Sequence, residues 1–370
     1  MSTTVRAAVL VAAGEPARIE SLELMEPREG EVRVRVLASG VCHSDLHVRD
    51  GEWERPAPMV MGHEGAGVVD AVGPGVDLSV GRPVALSWLV PCGTCRACRA
   101  GRPWACPASP SFRHRLPDGT VPYRRPASGE PVLAYCGIAT MAEATVVPLA
   151  AAVPLPDGVD PAVAALIGCC VTTGVGAVLK TAAVEPGASV AVVGLGGVGL
   201  SCVMGAVLAG ASQIVAIDRI ADKLDRAVAV GATHTLQAGD DTTATIEALR
   251  ELTDGGPDDI FEAIGLPETV ELAVAALPLG GTAVLVGMTP IGARASFEVY
   301  PFVDGSRRIL GSNYGFADPA VDFARYAQLH LDGRLPIERL IDRRIGLDDL
   351  EEAFASMREG RYTRQVVVAG

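Results

Sequence analysis

Cys92, Cys95, Cys98 and Cys106 set four of the chain's nine cysteines in a C-x2-C-x2-C-x7-C pattern. Four thiolates so spaced can surround one Zn²⁺ tetrahedrally, and a closed set of four leaves no coordination position for water or substrate. The zinc is therefore expected to be structural, folding a lobe of about residues 91–107 that has little core of its own. An iron–sulfur cluster and a disulfide pair are rival readings of the same residues. The odd cysteine total fits a disulfide framework poorly.

A second chemistry-bearing run is Gly194-Leu195-Gly196-Gly197-Val198-Gly199, a G-x-G-x-x-G. It follows the apolar segment ASVAVVG and opens the helix-length segment GVGLSCVMGAVLAG, which is the context that gives the motif meaning. Gly194 suits a tight turn, Gly196 a close approach of backbone to a pyrophosphate, and Gly199 close packing of helix on strand. The helix N-terminus, with Gly197 in its first turn, then offers free N–H groups to phosphate. Asp218 ends the next apolar run, QIVAID. An acid there binds the adenosine ribose hydroxyls and repels a 2′-phosphate, so NAD is expected over NADP. Arg219 argues the other way, since it could meet a 2′-phosphate.

These groups need elements to hold them. EVRVRVLA (31–38) and AGVVDAVG (66–73) alternate or run as β-branched strands between Gly/Pro turns, so residues 1–160 read as β-rich. The proline-rich, charged stretch from Ser109 to Pro131 reads as a long surface loop. From 161 the texture becomes strand–helix alternation: QIVAID is followed by the amphipathic ADKLDRAVAVGA, DDIFEAIG by PETVELAVAALPLGG, then TAVLVGM. That order implies a parallel sheet covered by helices on both faces. The fold class expected is α/β, with residues 161–300 forming the nucleotide domain and residues 1–160 and 301–370 the other.

A net charge of −13 argues against a nucleic-acid partner. No run approaches the roughly 20 apolar residues of a spanning helix, and no export signal is visible. No membrane partner and a cytoplasmic, thiol-reducing location are therefore expected.

Three further segments, GVCHSDLH (40–47), GHEGAG (62–67) and LIGCCVTTGVGA (166–177), complete a pattern. With the cysteine lobe and the Gly-rich turn, they resemble the zinc-dependent alcohol dehydrogenases of the medium-chain dehydrogenase/reductase superfamily, over essentially the whole chain. The resemblance implies a β-rich GroES-like catalytic domain and a Rossmann doubly wound parallel sheet. It implies two zinc ions per chain and NAD. Cys42, His63 and Cys169 match the catalytic zinc ligands, an open set of three, and Glu64 matches an acid that can approach that zinc. Ser44 and His47 match a relay carrying the alcohol proton outward through the nicotinamide ribose. His43 stands where many relatives place an Arg on the pyrophosphate, and Arg364 matches another phosphate-binding position. Lys223 matches a residue near the adenosine ribose; Thr173 and Val198 match positions near the nicotinamide. Trp53, Trp88 and Met141 fall at pocket-lining positions, a narrow slot suited to flat or unbranched primary alcohols.

The implied function is hydride transfer between a primary alcohol or aldehyde and NAD, by a homodimer or homotetramer. Within the family the lobe looks most like a bacterial branch that includes mycothiol-dependent formaldehyde dehydrogenase. A thiol-dependent formaldehyde dehydrogenase is thus the alternative enzyme, with Arg113, Arg115, Arg124 and Arg125 available for a cationic mouth. A non-catalytic zinc- and dinucleotide-binding protein is the alternative of another class.

Overall fold

The computed structural model of the chain describes residues 3–109 and 113–369. Two compact units form. The first runs to Cys169 and includes Asp318–Gly333 and the residues from Ile341 onward; the second holds Cys170–Ala317 and Arg334–Leu340. The expectation set these crossings at 160 and 300. Helical turns continue past Pro161 to Cys169 against the first unit's sheet, and the strand Arg308–Gly311 keeps the chain after 300 in the second unit.

In the first unit Thr3–Leu10, Arg18–Leu24, Tyr123–Arg124, Pro131–Ala134 and Met59–Val60 close into a small barrel. Tyr123–Arg124 is thus a strand within the stretch read as loop, and residues 110–112 of that stretch lie outside the described residues. Beside the barrel is a seven-stranded sheet centred on Glu31–Gly40, which pairs with Glu64–Val72, Ala144–Pro148 and Arg364–Val368. The alternation in EVRVRVLA explains this strand. Val32, Val34 and Val36 turn into the core, while Arg33 turns outward and pairs with Asp70 of the neighbouring strand at 2.7 Å.

A buried cluster fixes the helix His43–Asp50. Its Leu46 and Val48 pack with Trp53, Met61, Tyr135, Met141 and Phe354. Leu46 and Val48 thereby anchor an element whose other residues include Ser44 and His47.

The second unit is a six-stranded parallel sheet in the order His234–Gln237, Gln213–Asp218, Ser189–Val193, Asp259–Glu262, Thr282–Leu285, Arg308–Gly311. Strand order reverses between Ser189–Val193 and Asp259–Glu262. Ligands of doubly wound sheets bind beyond the carboxyl ends at such a point. Gly197–Ala209, Ala221–Ala229, Thr242–Leu252, Pro267–Ala275 and Val299–Asp304 are the helices between its strands. Against the expectation that no run approaches a spanning length, one helical run among the described residues, Pro161–Ala182, is long and apolar enough to cross a membrane; its α and π turns join segments that read separately in sequence, and 83% of its apolar window is buried in the protein.

Phe354 is fully buried in the cluster beneath the helix His43–Asp50. Phe354→Ala is expected to destabilise the first unit by about 3–5 kcal/mol, read as a lowered urea midpoint.

Candidate active site

The sulfurs of Cys92, Cys95, Cys98 and Cys106 all lie within 4.8 Å of one another. Cys95 Sγ is 3.5 Å from Cys98 Sγ and 3.9 Å from Cys106 Sγ. A tetrahedron of thiolates bonded to zinc at ~2.3 Å has edges of roughly 3.8 Å, so the set fits one ion. All nine cysteines are unpaired, which removes the disulfide reading. Backbone N–H groups of Cys92, Cys95 and Cys98 donate to Cys106, Cys92 and Cys95 sulfurs at 3.3–3.4 Å. The Thr94 hydroxyl and the Thr94 and Cys95 amides hold Cys92 down at about 6, while burial and neighbouring thiols push Cys98 up to about 12. Neither the short helix Arg96–Arg99 nor the turn Pro103–Ala105 buries a residue. Metal is the one strong cross-link such a lobe can have.

The second cluster is deeper. Cys42, His63, Glu64 and Cys169 each bring one ligand atom within 4.8 Å of the others. Cys42 caps the helix His43–Asp50, and His63 and Glu64 stand at the start of the strand Glu64–Val72. Cys169 sits in the π-wound turn Ile167–Val171, with Gly168 against the Leu86 carbonyl, where a Cβ would come within 2.9 Å. Of the adjacent Cys169 and Cys170, it is Cys169 that joins the cluster.

Asp45, which the sequence reading did not single out, organises this site. Its Oδ1 is 3.0 Å from His63 Nδ1, and its Oδ2 accepts the Cys42 N–H at 3.2 Å. A carboxylate here puts the ring proton on Nδ1 and leaves Nε2 for a metal. The Cys169 thiol and the charge of Arg364 hold Cys42 well below the usual thiol range. Burial alone would lower His63, yet Asp45 and Cys42 hold it well above its ordinary value. Burial raises Asp45, and it lifts Glu64 to about 8 even against Arg364. Both Glu64 oxygens are buried without a hydrogen bond. Two thiols, an imidazole and an orphaned carboxylate around one point form a donor set suited to Zn²⁺.

The remaining expected residues are placed as follows. Arg364 is buried, its Nη1 2.9 Å from the Val41 carbonyl and 3.3 Å from Glu64 Oε1. It therefore faces the metal donors as counter-ion to Glu64. Ser44 is half-buried, and His43 is exposed with its ring centroid 6.4 Å from that of His47. His47 Nδ1 bonds the Glu52 carboxylate, and its ring stacks on Trp53 at 4.7 Å. Trp53 and Met141 share one core cluster, whereas Trp88 packs against another. Of the loop arginines, Arg125 is paired with Glu20 and Glu130, and Arg115 and Arg124 bond the carbonyls of Gly119 and Gly129.

In the second unit Gly194 has φ +90, and a Cβ at Gly199 would collide with the Gly194 carbonyl. A Cβ at Gly196 would meet nothing within 4 Å, so the turn presents open backbone where a pyrophosphate would lie. Gly197 and Val198 follow in the helix's first turn, and Thr173 is half-buried in Thr172–Gly176. Asp218 accepts the Leu195 N–H at 2.8 Å and the Ile220 N–H at 3.0 Å, with Lys223 Nζ 4.0 Å away. Arg219 pairs with Asp240.

Asp45→Asn is expected to weaken zinc at the Cys42–His63–Cys169 cluster by about 10- to 100-fold. Zinc titration against a chromophoric chelator reads this, with the four-cysteine lobe as internal reference.

Residues 28–157 match the alcohol dehydrogenase GroES-like domain and residues 197–329 the zinc-binding dehydrogenase domain. An NDMA-dependent alcohol dehydrogenase of Amycolatopsis methanolica is 34% identical over 98% of each chain. An alcohol dehydrogenase zinc-binding domain protein from Burkholderia ambifaria superposes with TM-score 0.94 at 36% identity, covering 100% of both chains. Benzyl alcohol dehydrogenase from Acinetobacter calcoaceticus does so with TM-score 0.90 at 30% identity, again over 100% of both chains. The two donor clusters and the Gly-rich turn fit structural zinc, catalytic zinc and a nicotinamide dinucleotide, and so an oxidoreductase. The chain belongs to the zinc-dependent alcohol dehydrogenases of the medium-chain dehydrogenase/reductase superfamily.

Proposed function

We propose that this enzyme interconverts primary alcohols and aldehydes with NAD at the cluster of Cys42, His63 and Cys169. The observation that carries the reading is the convergence of these donors with Glu64 around one point, backed by the Asp45–His63 bond. Zinc held there supplies a Lewis acid that makes a bound alcohol acidic near neutral pH, and NAD accepts the hydride.

The chain's own residues do the rest. Asp45 keeps the His63 tautomer and ring orientation fixed. Arg364 offsets the charge of Glu64, so the buried donor set is not a bare excess of anions. Ser44 takes the alcohol proton, and His47 passes it on to Glu52, whose side chain is 45% exposed and so in touch with water. Asp218, beside Gly194, Gly196 and Gly199, receives the adenosine ribose, and Lys223 stands beside it. Trp53 and Met141, packed in one cluster with Leu46 of the helix His43–Asp50, would supply the apolar wall of the substrate slot. The benzyl alcohol dehydrogenase likeness supports aromatic primary alcohols as first substrates, and the NDMA-dependent relative makes NDMA the second acceptor to supply. We place the enzyme in the cytoplasm, which its nine free cysteines suit. We further propose a homodimer or homotetramer paired along the edge strand Arg308–Gly311, near the exposed Val299, Tyr300 and Val303.

With benzyl alcohol and NAD, NADH fluorescence should rise, and Cys42→Ala should cut kcat/KM by about a thousandfold or more. Absence of NADH with every primary alcohol, with zinc and NAD both bound, would overturn the reading. Asp218→Gly should lower the preference for NAD over NADP by about tenfold, read as a ratio of kcat/KM values.

A further inference from the structure

One fully buried carboxyl of the second unit has no part in the chemistry above. Glu262 ends the strand Asp259–Glu262 in register with Val193, the residue that leads into Gly194 of the Gly-rich turn. It is 0% exposed. Its Oε1 accepts the N–H groups of Ile264 and Gly265, each at 2.8 Å, and the Thr269 hydroxyl lies 2.8 Å from the same oxygen. Its Oε2 is buried without a hydrogen bond, and among the described residues no basic side chain pairs with it. Burial raises this carboxyl above its ordinary range, against the N–H groups and the hydroxyl that favour the ionised form. Burying such a group is costly, so its place in the fold calls for a reason.

The turns around it supply one. The Glu262 carbonyl accepts the N–H groups of Val286 and Gly287, which fastens the turn after Thr282–Leu285 to the same residue. A Cβ on Gly287 would come within 2.2 Å of the Gly265 nitrogen and 2.7 Å of Glu262 Oε2. Two turns at the carboxyl edge of the sheet therefore meet at one carboxyl, with no space between them.

The turn after Glu262 also reaches the Gly-rich turn. The Ala263 N–H donates to the Val193 carbonyl at 2.9 Å, and a Cβ on Gly194 would stand 2.3 Å from Ile264 Cγ1. Ile264 thus lies directly on Gly194, while its own N–H is held by Glu262. The strand has ended at Glu262, so this side chain rather than a strand partner fixes the backbone behind the Gly-rich turn.

We propose that Glu262 is a positioning residue for the dinucleotide: its carboxyl holds Ile264 against Gly194 and so sets the turn that receives the pyrophosphate. It acts through Ile264 and Gly194. The work asked of Oε1 is acceptance alone, which an amide oxygen also performs. Removing the acceptor leaves the two N–H groups unsatisfied and the turn loose, and ordering that turn on binding then subtracts from affinity.

The test titrates the zinc-loaded enzyme calorimetrically with NAD and with ADP-ribose, which carries the pyrophosphate without the nicotinamide. Glu262→Ala should raise both dissociation constants by about tenfold or more. Glu262→Gln should bind both ligands as the parent does, and Glu262→Asp, one methylene short of the N–H groups, should behave like Glu262→Ala. In the steady state Glu262→Ala should raise the KM for NAD and leave the KM for benzyl alcohol where it was. A residue that served stability alone would lower the thermal midpoint without separating the two KM values. Thr269 is half-buried, and Thr269→Val removes one hydroxyl from Oε1, so NAD affinity should fall by about two- to tenfold. This variant decides the matter where Glu262→Ala does not fold. Unchanged NAD affinity in Glu262→Ala, or in Thr269→Val where Glu262→Ala does not fold, overturns the proposal, as does an equal loss in Glu262→Gln and Glu262→Ala. Calorimetry needs no turnover, so absence of turnover with benzyl alcohol counts against the primary-alcohol reading alone.

Discussion

Glu64 is a carboxylate with 0% exposure and no hydrogen bond to either oxygen. Much of the first unit is arranged around that fact. A buried carboxylate is tolerated only with opposite charge nearby. Arg364 comes to it from the C-terminal strand at 3.3 Å, and His63 adjoins it in sequence. Gly40 leaves the room, because a Cβ there would collide with the Glu64 carboxylate. Asp45, also fully buried, adds a second acid, and Cys42, whose thiol is held well below its ordinary range, and Cys169 add two sulfur donors. Among the described residues, one arginine is the one fixed positive charge that the cluster of two carboxyls and two thiol donors has beside it. A divalent cation held by these donors would offset most of the remaining negative charge, which is why the cluster suits a metal.

The four-cysteine lobe solves the opposite problem. Its ligands sit on turns with almost no buried surface, so hydrophobic burial cannot fix their positions. Closed coordination orders the lobe and leaves no room for reactants. At the deep cluster, by contrast, the protein sets the geometry first. The helix His43–Asp50 is fixed by the packing of Leu46 and Val48, and Asp45 is a residue of that helix. His63 is then aimed by a bond to Asp45 rather than by the metal alone.

How far the sequence could be read depended on how local each relation was. The lobe and the Gly-rich turn were readable because their residues lie within one short stretch and depend on spacing alone. Strands such as Glu31–Gly40 showed in their alternation. Asp45 was missed although it sits inside GVCHSDLH, because a helix-first-turn acid ordinarily reads as a capping residue. The signal was its position three residues after Cys42 in a helix that must also carry the metal site. Arg364 is expected from its matching position to contact the cofactor, and the strand pairing Val366 with Gly40 puts it beside Glu64 as well, a neighbour that spacing could not show. The domain crossing escaped for a related reason: composition changes near 161, but the helical turns that carry Cys169 still belong to the first unit's packing.

Asp218 shows how a residue can be fixed before its ligand arrives. Both of its oxygens already accept backbone N–H groups, from Leu195 in the Gly-rich turn and from Ile220 beyond the strand. The carboxylate therefore pins the turn to the neighbouring strand and is held in one rotamer. Less side-chain freedom is then left to lose when a ribose binds. The same geometry bears on cofactor choice. Arg219 is the group that would welcome a 2′-phosphate, yet it is paired with the exposed Asp240. With Lys223 at 4.0 Å from Asp218, two acids and two bases meet at this strand end. The acid beside the Gly-rich turn is the fixed one, whereas the arginine lies in an exposed ion pair, weak by nature and screened by salt. A rigid acceptor for hydroxyls set against a mobile, already neutralised cation favours the unphosphorylated ribose.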